Sequence, residues 1–431
     1  MRIAIVSQSS LNYIVLLFAL FRMGCVAVPV NFRFSPAELE RIVNGITIDL
    51  MVTDASGELL ASQGVEKICF SDLFLDHCSG DPANQDLVLD EGKTVILTSG
   101  TTGEPKGVLL SMRNHFYSAW GANLNLKLCR GDRWYLVLPL FHVGGLAVLF
   151  RVFLAGASVA LPAGGFNPEE ILNGGITHVS MVHSQLTDFL TSVEKKNARI
   201  PETLRAVLAG GSFIPDAVLS RCIESGIPVY KTYGLTEMAS QVTTTQKTVG
   251  MSEMASSGRL LKYREISIGL QNEIRVKGET LFEGYISNGE FWPPVTDRKG
   301  WFDTGDMGYL DRNGNLFVAG RKDNMFISGG ENIFPEEIER ALMNLKYVDD
   351  AVVIPVDHPK FGKRPVAFVV FGSGEAGSGE LTAELKKNLP GFKIPDRFYR
   401  IEKPGDGFLK QRRSEFEYRV LTNTGLNEIS D

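Results

Sequence analysis

A chain of 431 residues exceeds the size at which one hydrophobic core keeps growing, so two or more domains are expected. Apolar residues make up 44% of the chain and charged residues 22%, which is typical of a soluble globular protein. The formal net charge of −6 provides no global basic field and argues against general nucleic-acid binding. Any phosphate-bearing ligand must therefore be bound by local donors.

The apolar stretch 11–30 is interrupted by Asn12 and Arg22 and contains Pro29. It therefore predicts a buried helix to about Met23, followed by a strand, and no membrane span. Five cysteines are scattered along the chain without a CxxC pair, so neither a disulfide framework nor a zinc site is indicated. A reducing cytoplasm is the simpler interpretation.

In the first 320 residues, short β-rich runs alternate with longer segments of helical apolar spacing. This alternation predicts parallel sheets covered by helices. Segments 265–284 and 307–319 differ, because they are typical of short antiparallel strands with tight turns, including the hairpin signal Asn313-Gly314. We therefore expect an α/β fold over residues 1–320, with two α/β subdomains and a β-barrel-like subdomain.

The pattern restarts after Gly320 and predicts a small α+β domain over residues 321–431. Its predicted elements are a helix, two strands and a second helix, at 335–345, 351–356, 366–371 and 382–389. A Gly/Ser/Glu-rich surface loop is expected at 372–380, and a frayed polar tail at 421–431.

Segment 98–107 carries a phosphate-binding signal. Glycines let the backbone approach a ligand, hydroxyl groups add donors, and a lysine adds positive charge. The candidate residues are Thr98, Ser99, Gly100, Thr101, Thr102, Gly103 and Lys106. The segment is not a Walker A loop, because no hydroxyl residue follows Lys106. A flexible connection is the alternative, but the density of glycine and hydroxyl residues before Pro-Lys-Gly favours a polyphosphate site.

From this segment onward, the chain resembles the adenylate-forming superfamily of acyl-CoA ligases, peptide-synthetase adenylation domains and luciferases. Six further segments follow in the family's order, at 138–142 (LPLFH), 209–212 (AGGS), 233–237 (YGLTE), 301–306 (WFDTGD), 320–323 (GRKD) and 328–333 (SGGENI). The resemblance implies a two-step reaction. A carboxylate attacks the α-phosphate of ATP, giving an acyl-adenylate and pyrophosphate, and a thiol then takes the acyl group.

The same resemblance implies an ATP site. Glu237, after Thr236, matches the position that holds Mg²⁺, and a hard oxygen ligand suits this ion. Tyr233 would supply an aromatic face for adenine, beside the turn at Gly210 and Gly211. Packing in the core is the alternative role for Tyr233.

Further matched positions concern the ribose and the reacting groups. Asp306 would accept both ribose hydroxyls, with Arg321 as its partner. His142 matches the gate between the acyl pocket and the ATP site, although a lone histidine is more often structural. Lys410 matches a lysine whose charge offsets the negative charge that builds up in the transition state. Lys403 lies nearby as an alternative.

For the second step, the resemblance implies that coenzyme A is the acceptor and that the small domain rotates about a hinge at Asp323. Ser328, Gly329 and Gly330 would lie along the path of the pantetheine arm. The resemblance also implies a homodimer.

Within the superfamily, segments 233–240 and 323–331 resemble the 2-succinylbenzoate–CoA ligases of menaquinone synthesis. An aromatic acid with a second carboxylate would then be the substrate, and this carboxylate requires a cationic partner. Thr187-Asp188 stands where some members carry an arginine, so either the cationic partner lies elsewhere or the acid is different. A fatty or aryl acid–CoA ligase, an adenylation enzyme that loads a carrier protein, and a nucleotide-binding protein without catalysis remain alternatives.

Overall fold

The computed structural model describes residues 1–54, 64–74, 86, 88–99, 105–247, 251–372, 374–402 and 413–430. The strands are β1 (Arg2–Val6), β2 (Val26–Val30), β3 (Leu50–Thr53), β4 (Glu66–Cys69), β5 (Gly92–Ser99), β6 (Pro105–Ser111), β7 (Arg133–Tyr135), β8 (Ser158–Ala160), β9 (His178–Met181), β10 (Ala206–Ala209), β11 (Val229–Leu235), β12 (Ser240–Thr244), β13 (Arg259–Leu260), β14 (Arg264–Ile268), β15 (Glu273–Gly278), β16 (Gly284–Ser287), β17 (Glu290–Trp292), β18 (Phe302–Leu310), β19 (Leu316–Arg321), β20 (Phe326–Ser328), β21 (Glu331–Ile333), β22 (Val348–His358), β23 (Gly362–Phe371) and β24 (Arg397–Arg400).

The helices are α1 (Leu11–Arg22), α2 (Pro36–Ile46), α3 (Met112–Leu126), α4 (Val143–Ala155), α5 (Pro168–Asn173), α6 (His183–Lys196), α7 (Asp216–Glu224), α8 (Met251–Met254), α9 (Pro335–Met343), α10 (Ser378–Lys386) and α11 (Arg413–Thr422). Among the described residues, no helix is both long enough and apolar enough to cross a membrane.

The first sheet has eight strands in the order β17-β16-β6-β5-β2-β1-β3-β4. Strands β5, β2, β1, β3 and β4 run parallel, whereas β6, β16 and β17 continue the sheet in antiparallel pairs. Strands β1 and β2 are apolar and almost wholly buried, as expected of parallel strands covered on both faces. The helix and strand expected within 11–30 are confirmed as α1 and β2.

The second sheet has the order β13-β12-β11-β10-β9-β7-β8 and is parallel from β11 to β8. Strands β12 and β13 are antiparallel, which the sequence pattern does not reveal. The third sheet, β14-β15-β18-β19, is wholly antiparallel, as predicted. Gly314 has φ of +76° in the turn between β18 and β19, where the Asn-Gly signal predicts a hairpin.

One continuous apolar core joins these three sheets. It includes Ile5 of β1, Leu149 of α4, Val242 of β12 and Ile274 of β15. The fourth sheet, β21-β20-β23-β22 with β24 beside β23, packs on a separate core with α9 and α10. The molecule is therefore an α/β protein with a large N-terminal domain and a small α+β C-terminal domain.

Two local expectations in the C-terminal domain are wrong. Helix α10 begins at Ser378, inside the segment expected to be a loop, because Leu381 and Leu385 are buried in the core. The tail is not frayed over its described part. The Ile429 N–H donates to the Phe398 carbonyl at 2.9 Å, and the Arg400 N–H donates to the Asn427 carbonyl at 2.7 Å.

Candidate active site

Three strands bring a partly buried carboxylate, a phenol and a guanidinium together. The Tyr233 hydroxyl donates to Asp306 Oδ2 at 2.7 Å, and Arg321 Nη1 donates to Asp306 Oδ1 at 3.3 Å and to the Thr304 carbonyl at 3.0 Å. Asp306 and Arg321 face each other in the β18–β19 ladder. Burial raises the pKa of Asp306, although the charge of Arg321 acts in the opposite direction.

The ring of Tyr233 is packed in the core, which is the alternative role considered from the sequence. Its hydroxyl reaches Asp306. Burial raises the pKa of this phenol well above its usual range. Tyr233 therefore acts here as a hydrogen-bond donor to Asp306.

A second constellation joins the segment 98–107 to the motif that contains Glu237. The Tyr285 hydroxyl donates to Glu237 Oε1 at 2.9 Å, and Lys106 Nζ lies 3.3 Å from the centroid of the Tyr285 ring. Burial lowers the pKa of Lys106, whereas the charge of Glu237 raises it. Thr98 Oγ1 donates to the Lys106 carbonyl at 3.3 Å. Tyr285 is absent from the residues predicted for the site, because its position depends on the pairing of β16 with β6.

The chain makes an unusual turn directly after this motif. Thr236 and Glu237 lie in a short 3-10 turn, and Ala239 and Ser240 follow with φ of +51° and +118°. Gly234 is required opposite this turn, because a Cβ there would lie 2.1 Å from the Ser240 carbonyl oxygen. Two successive non-glycine residues with positive φ indicate backbone strain of the kind that concentrates at functional sites.

The turn at Gly210 and Gly211 follows β10. A Cβ at Gly210 would lie 2.5 Å from Thr232 Cγ2, and Gly211 has φ of +80°. Glycine is therefore required at both positions for different reasons, close approach at the first and a left-handed conformation at the second.

His142 lies immediately before α4, with the Phe141 ring centroid 4.7 Å from its own. Burial lowers the pKa of His142, so its imidazole is neutral at pH 7. A neutral imidazole can pack against an apolar acyl group without the cost of burying a charge.

The structure adds a buried cation that was not among the residues predicted for the site. Arg151 on α4 is 1% exposed, donates from Nη2 to Ser240 Oγ at 3.0 Å, and lies over the Trp134 ring. Arg264, 4% exposed, donates to Ser118 instead. Burial lowers the pKa of each arginine to about 9, so both are charged at pH 7. The sequence signal is a single arginine within the apolar run of α4.

Neither guanidinium forms an ion pair with a carboxylate among the residues that the structure describes. The Nε atoms of Arg151 and Arg264 are also buried, and neither has a hydrogen-bond partner among the described residues. Unpaired buried charges are costly, and an anionic group would complement them.

The residues predicted for the hinge and for the path of the thiol lie after β19, in the turn to β20 and in the β20–β21 hairpin. Arg321 Nη2 donates to Asp323 Oδ2 at 3.1 Å in the turn between β19 and β20. Ser328, Gly329 and Gly330 form the tip of the β20–β21 hairpin, where the two glycines have φ of +59° and +92°. The Gly329 N–H donates to the Phe361 carbonyl at 2.9 Å.

Some predicted site residues lie outside the described residues. They are Gly100, Thr101, Thr102, Gly103 and Lys410, together with the alternative Lys403. Ser99 is the last residue of β5. Arg413, three residues after Lys410, forms an ion pair with Glu339 at 2.7 Å and so ties the start of α11 to α9.

Comparison with known proteins identifies relatives over almost the whole chain. The AMP-binding enzyme family matches residues 1–286, and the AMP-binding enzyme C-terminal domain matches residues 337–405. A 2-succinylbenzoate–CoA ligase of Bacillus cereus is 34% identical over 432 residues, which cover 97% of this chain and 88% of that relative.

Solved structures of o-succinylbenzoate CoA synthetase (MenE) from Bacillus subtilis are also similar. The complex with the acyl-adenylate intermediate OSB-AMP has a TM-score of 0.86 at 32% identity, covering 96% of this chain and 88% of that chain. The complex with ATP and magnesium ion gives 0.85 at 31% identity, covering 96% and 89%. A double mutant bound with the product analogue OSB-NCoA gives 0.68 at 31% identity, covering 96% and 88%.

Proposed function

Because this chain belongs to the AMP-binding enzyme family, we propose that it is an AMP-forming 2-succinylbenzoate–CoA ligase of menaquinone synthesis. The observation that carries the proposal is the convergence of motifs far apart in sequence. Lys106 approaches Glu237 through Tyr285, and Asp306 accepts a hydrogen bond from Tyr233. Lys106, the Glu237 carboxylate and the partly buried Asp306 carboxylate, which can accept hydrogen bonds from ribose hydroxyls, thus lie around residues 233–237.

ATP would bind across this constellation. We assign the ribose hydroxyls to Asp306 and Arg321, and the adenine to the side of Tyr233 and the turn at Gly210 and Gly211. The β- and γ-phosphates would lie against segment 98–107, including Thr98 and Lys106. Backbone N–H groups and a lysine are the donors that a polyphosphate requires.

The donor set also fits Mg²⁺. Among the described residues, no group of three or more His, Cys, Asp or Glu could hold a metal ion. A magnesium ion that is bound mainly by phosphates needs only one or two carboxylates, and Glu237 beside Thr236 supplies one. When bound there, the ion would offset charge on the phosphates.

In the first half-reaction, the acid carboxylate would attack the α-phosphorus of ATP. The acyl oxygen–phosphorus bond forms while the bond to pyrophosphate breaks. Negative charge accumulates on the transferring group, and the positive charges of Lys106 and Lys410 would stabilise it. Neutral His142 would pack against the acyl group and separate its pocket from ATP.

In the second half-reaction, the thiolate of coenzyme A would attack the acyl carbon and release AMP. We propose that residues 1–320 form the N-terminal domain, and that residues 321–431 rotate about Asp323 for this step. The glycines at 329 and 330 carry no side chain that would block the pantetheine arm beside Ser328.

We assign the second carboxylate of the acid to Arg151. Asp188, which stands where an arginine was expected, is exposed on α6 and is therefore not directed into the core. Of the two alternatives left open by the sequence, we therefore favour the one in which the cationic partner lies elsewhere, rather than the one in which the acid is different. Arg151 fits, because it is buried, charged and held by Ser240, three residues after Glu237. A charge-assisted hydrogen bond to Arg151 would make the affinity for a dicarboxylic acid higher than for a monocarboxylic acid.

Two further assignments complete the proposal. We propose a cytoplasmic location, which is supported by the free thiols of Cys25, Cys69, Cys129 and Cys222 among the described residues. A homodimer stays a prediction.

The test measures pyrophosphate release with 2-succinylbenzoate, benzoate and medium-chain fatty acids, each with and without coenzyme A. We expect one equivalent of pyrophosphate with 2-succinylbenzoate alone and continuous turnover when coenzyme A is added. A signal with medium-chain or benzoic acids but none with 2-succinylbenzoate would refute the substrate. Turnover with a carrier protein but not with coenzyme A would support the adenylation-enzyme alternative.

The same assay applied to Arg151→Met tests the assignment of the second carboxylate. Loss of the guanidinium should raise KM for 2-succinylbenzoate by roughly 30-fold or more, while Arg151→Lys retains part of the affinity. Arg264→Met is the matched control, because it also removes a buried guanidinium but one bound to Ser118. Equal increases in KM in the Arg151→Met and Arg264→Met variants would show that Arg151 has no specific role.

A further inference from the structure

The two domains are in contact at the residues that directly follow the glycine turn 210–212. Phe213 of the N-terminal domain packs against the apolar core of the C-terminal domain. The guanidinium carbon of Arg340, on α9, lies 5.6 Å from the Phe213 ring centroid. The Asp216 N–H donates to Asn344 Oδ1 at 3.0 Å, so a hydrogen bond crosses the same boundary.

Arg340 is fixed on several sides. Its Nη1 donates to the Val318 carbonyl on β19 at 2.8 Å, and its Nε donates to the Glu336 carbonyl at 3.2 Å. Burial lowers its pKa, although nearby glutamates act in the opposite direction. The side chain therefore connects α9 to the strand that leads into the hinge turn and to Phe213 at the same time.

The structure as a whole is more similar to one solved complex than to another. At nearly equal identity and coverage, the TM-score is 0.86 with the OSB-AMP complex and 0.68 with the OSB-NCoA complex. The contact between Phe213 and Arg340 is therefore present in a molecule whose overall structure is closer to the acyl-adenylate complex.

We propose that Phe213, Arg340 and Asn344 form a latch that positions the C-terminal domain for acyl-adenylate formation and separates before thioester formation. The inference rests on the two-step function proposed above. Phe213 lies two residues after Gly211, so the glycine turn and the C-terminal domain are joined by one short segment. The three latch side chains are positioning residues, because none of them contacts the reacting atoms.

The latch predicts opposite effects on the two half-reactions. Without the latch, the domain arrangement that forms the acyl-adenylate is less populated. The arrangement for thioester formation is then reached more readily, because the latch contacts no longer have to break. Arg340→Met and Phe213→Ala should each slow pyrophosphate release from ATP and the acid about tenfold. Both variants should leave thioester formation from preformed acyl-adenylate unchanged or faster. Arg340→Lys should restore part of the first rate, because an ammonium also interacts with an aromatic ring.

Arg419→Met is the matched control. Arg419 lies over the Phe416 ring at 5.3 Å within the C-terminal domain, so its loss removes a contact of the same type without affecting the boundary. Both half-reactions should proceed in this variant as in the wild type. If a latch variant fails to fold, Asn344→Ala removes only the hydrogen bond to Asp216 and should shift the ratio of the two rates in the same direction.

A ratio of the two rates within twofold of the wild type in Arg340→Met and Phe213→Ala would overturn the latch. A wild-type protein that forms no acyl-adenylate from any acid would instead overturn the function on which the latch rests. The two failures are therefore distinguishable in the same set of measurements.

Discussion

At the scale of single residues, burial decides the protonation of several groups. His115 is fully buried, its Nε2 lies 2.7 Å from Thr94 Oγ1, and its ring stacks on Phe150 with centroids 4.2 Å apart. Burial lowers the pKa of His115 to about 3. An unfolded histidine titrates near pH 6.5, so the unfolded chain binds one more proton than the native protein between these values. The contribution to stability is full above about pH 6.5 and is lost as the pH falls towards 3.

We predict that His115→Gln weakens the dependence of stability on pH. The free energy of unfolding of the wild type should fall by up to about 1.4 kcal/mol per pH unit for this histidine below pH 6.5. Urea unfolding midpoints between pH 6.5 and 5 provide the measurement. His178→Gln is a second variant, because burial lowers the pKa of His178 to about 4. Parallel pH profiles for the wild type and both variants would contradict the prediction.

At the scale of elements, the start of α4 depends on one close approach. A Cβ at Gly145 would lie 2.2 Å from the Pro139 carbonyl oxygen and 2.5 Å from that of Leu138. These are backbone atoms and cannot move aside as a flexible side chain does. The segment 138–142 is therefore held against the first turn of α4, and this contact fixes the position of His142.

We predict that Gly145→Ala destabilises the protein by about 1–3 kcal/mol and raises KM for the acid, because the turn before His142 must shift. Gly144→Ala is the control. Its Cβ would meet only a Leu138 side-chain atom at 3.3 Å, and alanine favours a helix relative to glycine. Thermal unfolding compares the two variants, and equal Tm values would contradict the prediction.

At the scale of the whole molecule, the proposed ribose site joins two sheets. Tyr233 belongs to the second sheet, and Asp306 and Arg321 belong to the third. A ligand at this site stabilises the native protein by about 2.7 kcal/mol at a concentration 100 times its Kd. Mg-ATP should therefore raise Tm of the wild type by a few degrees.

We predict that Arg321→Met loses most of this rise at the same ATP concentration. Arg275→Met is the control, because Arg275 pairs with Asp303 and Asp297 in the same sheet, away from Asp306. Differential scanning fluorimetry with and without Mg-ATP measures both variants. An unchanged ATP-dependent rise in Arg321→Met would remove Arg321 from the site.

Much of the fold and several site residues follow from local sequence. The alternation of short apolar strands with helices predicts the parallel sheets, and Asn313-Gly314 predicts the β18–β19 hairpin. Both depend on residues near each other along the chain. The motif order likewise selects Lys106, Glu237 and Asp306 before any contact is known.

Only the tertiary structure decides which of these distant residues meet. Tyr285 reaches both Glu237 and Lys106 because β16 is added beside β6, and no local pattern predicts that pairing. Arg151 donates a hydrogen bond to Ser240 because α4 packs against β12, and this packing depends on the order of the strands in the sheet. Local sequence determines propensity and periodicity, which act over a few residues. Contacts across a core depend on how sheets and helices pack, so the partner proposed for a second carboxylate and the proposed latch follow from the folded molecule alone.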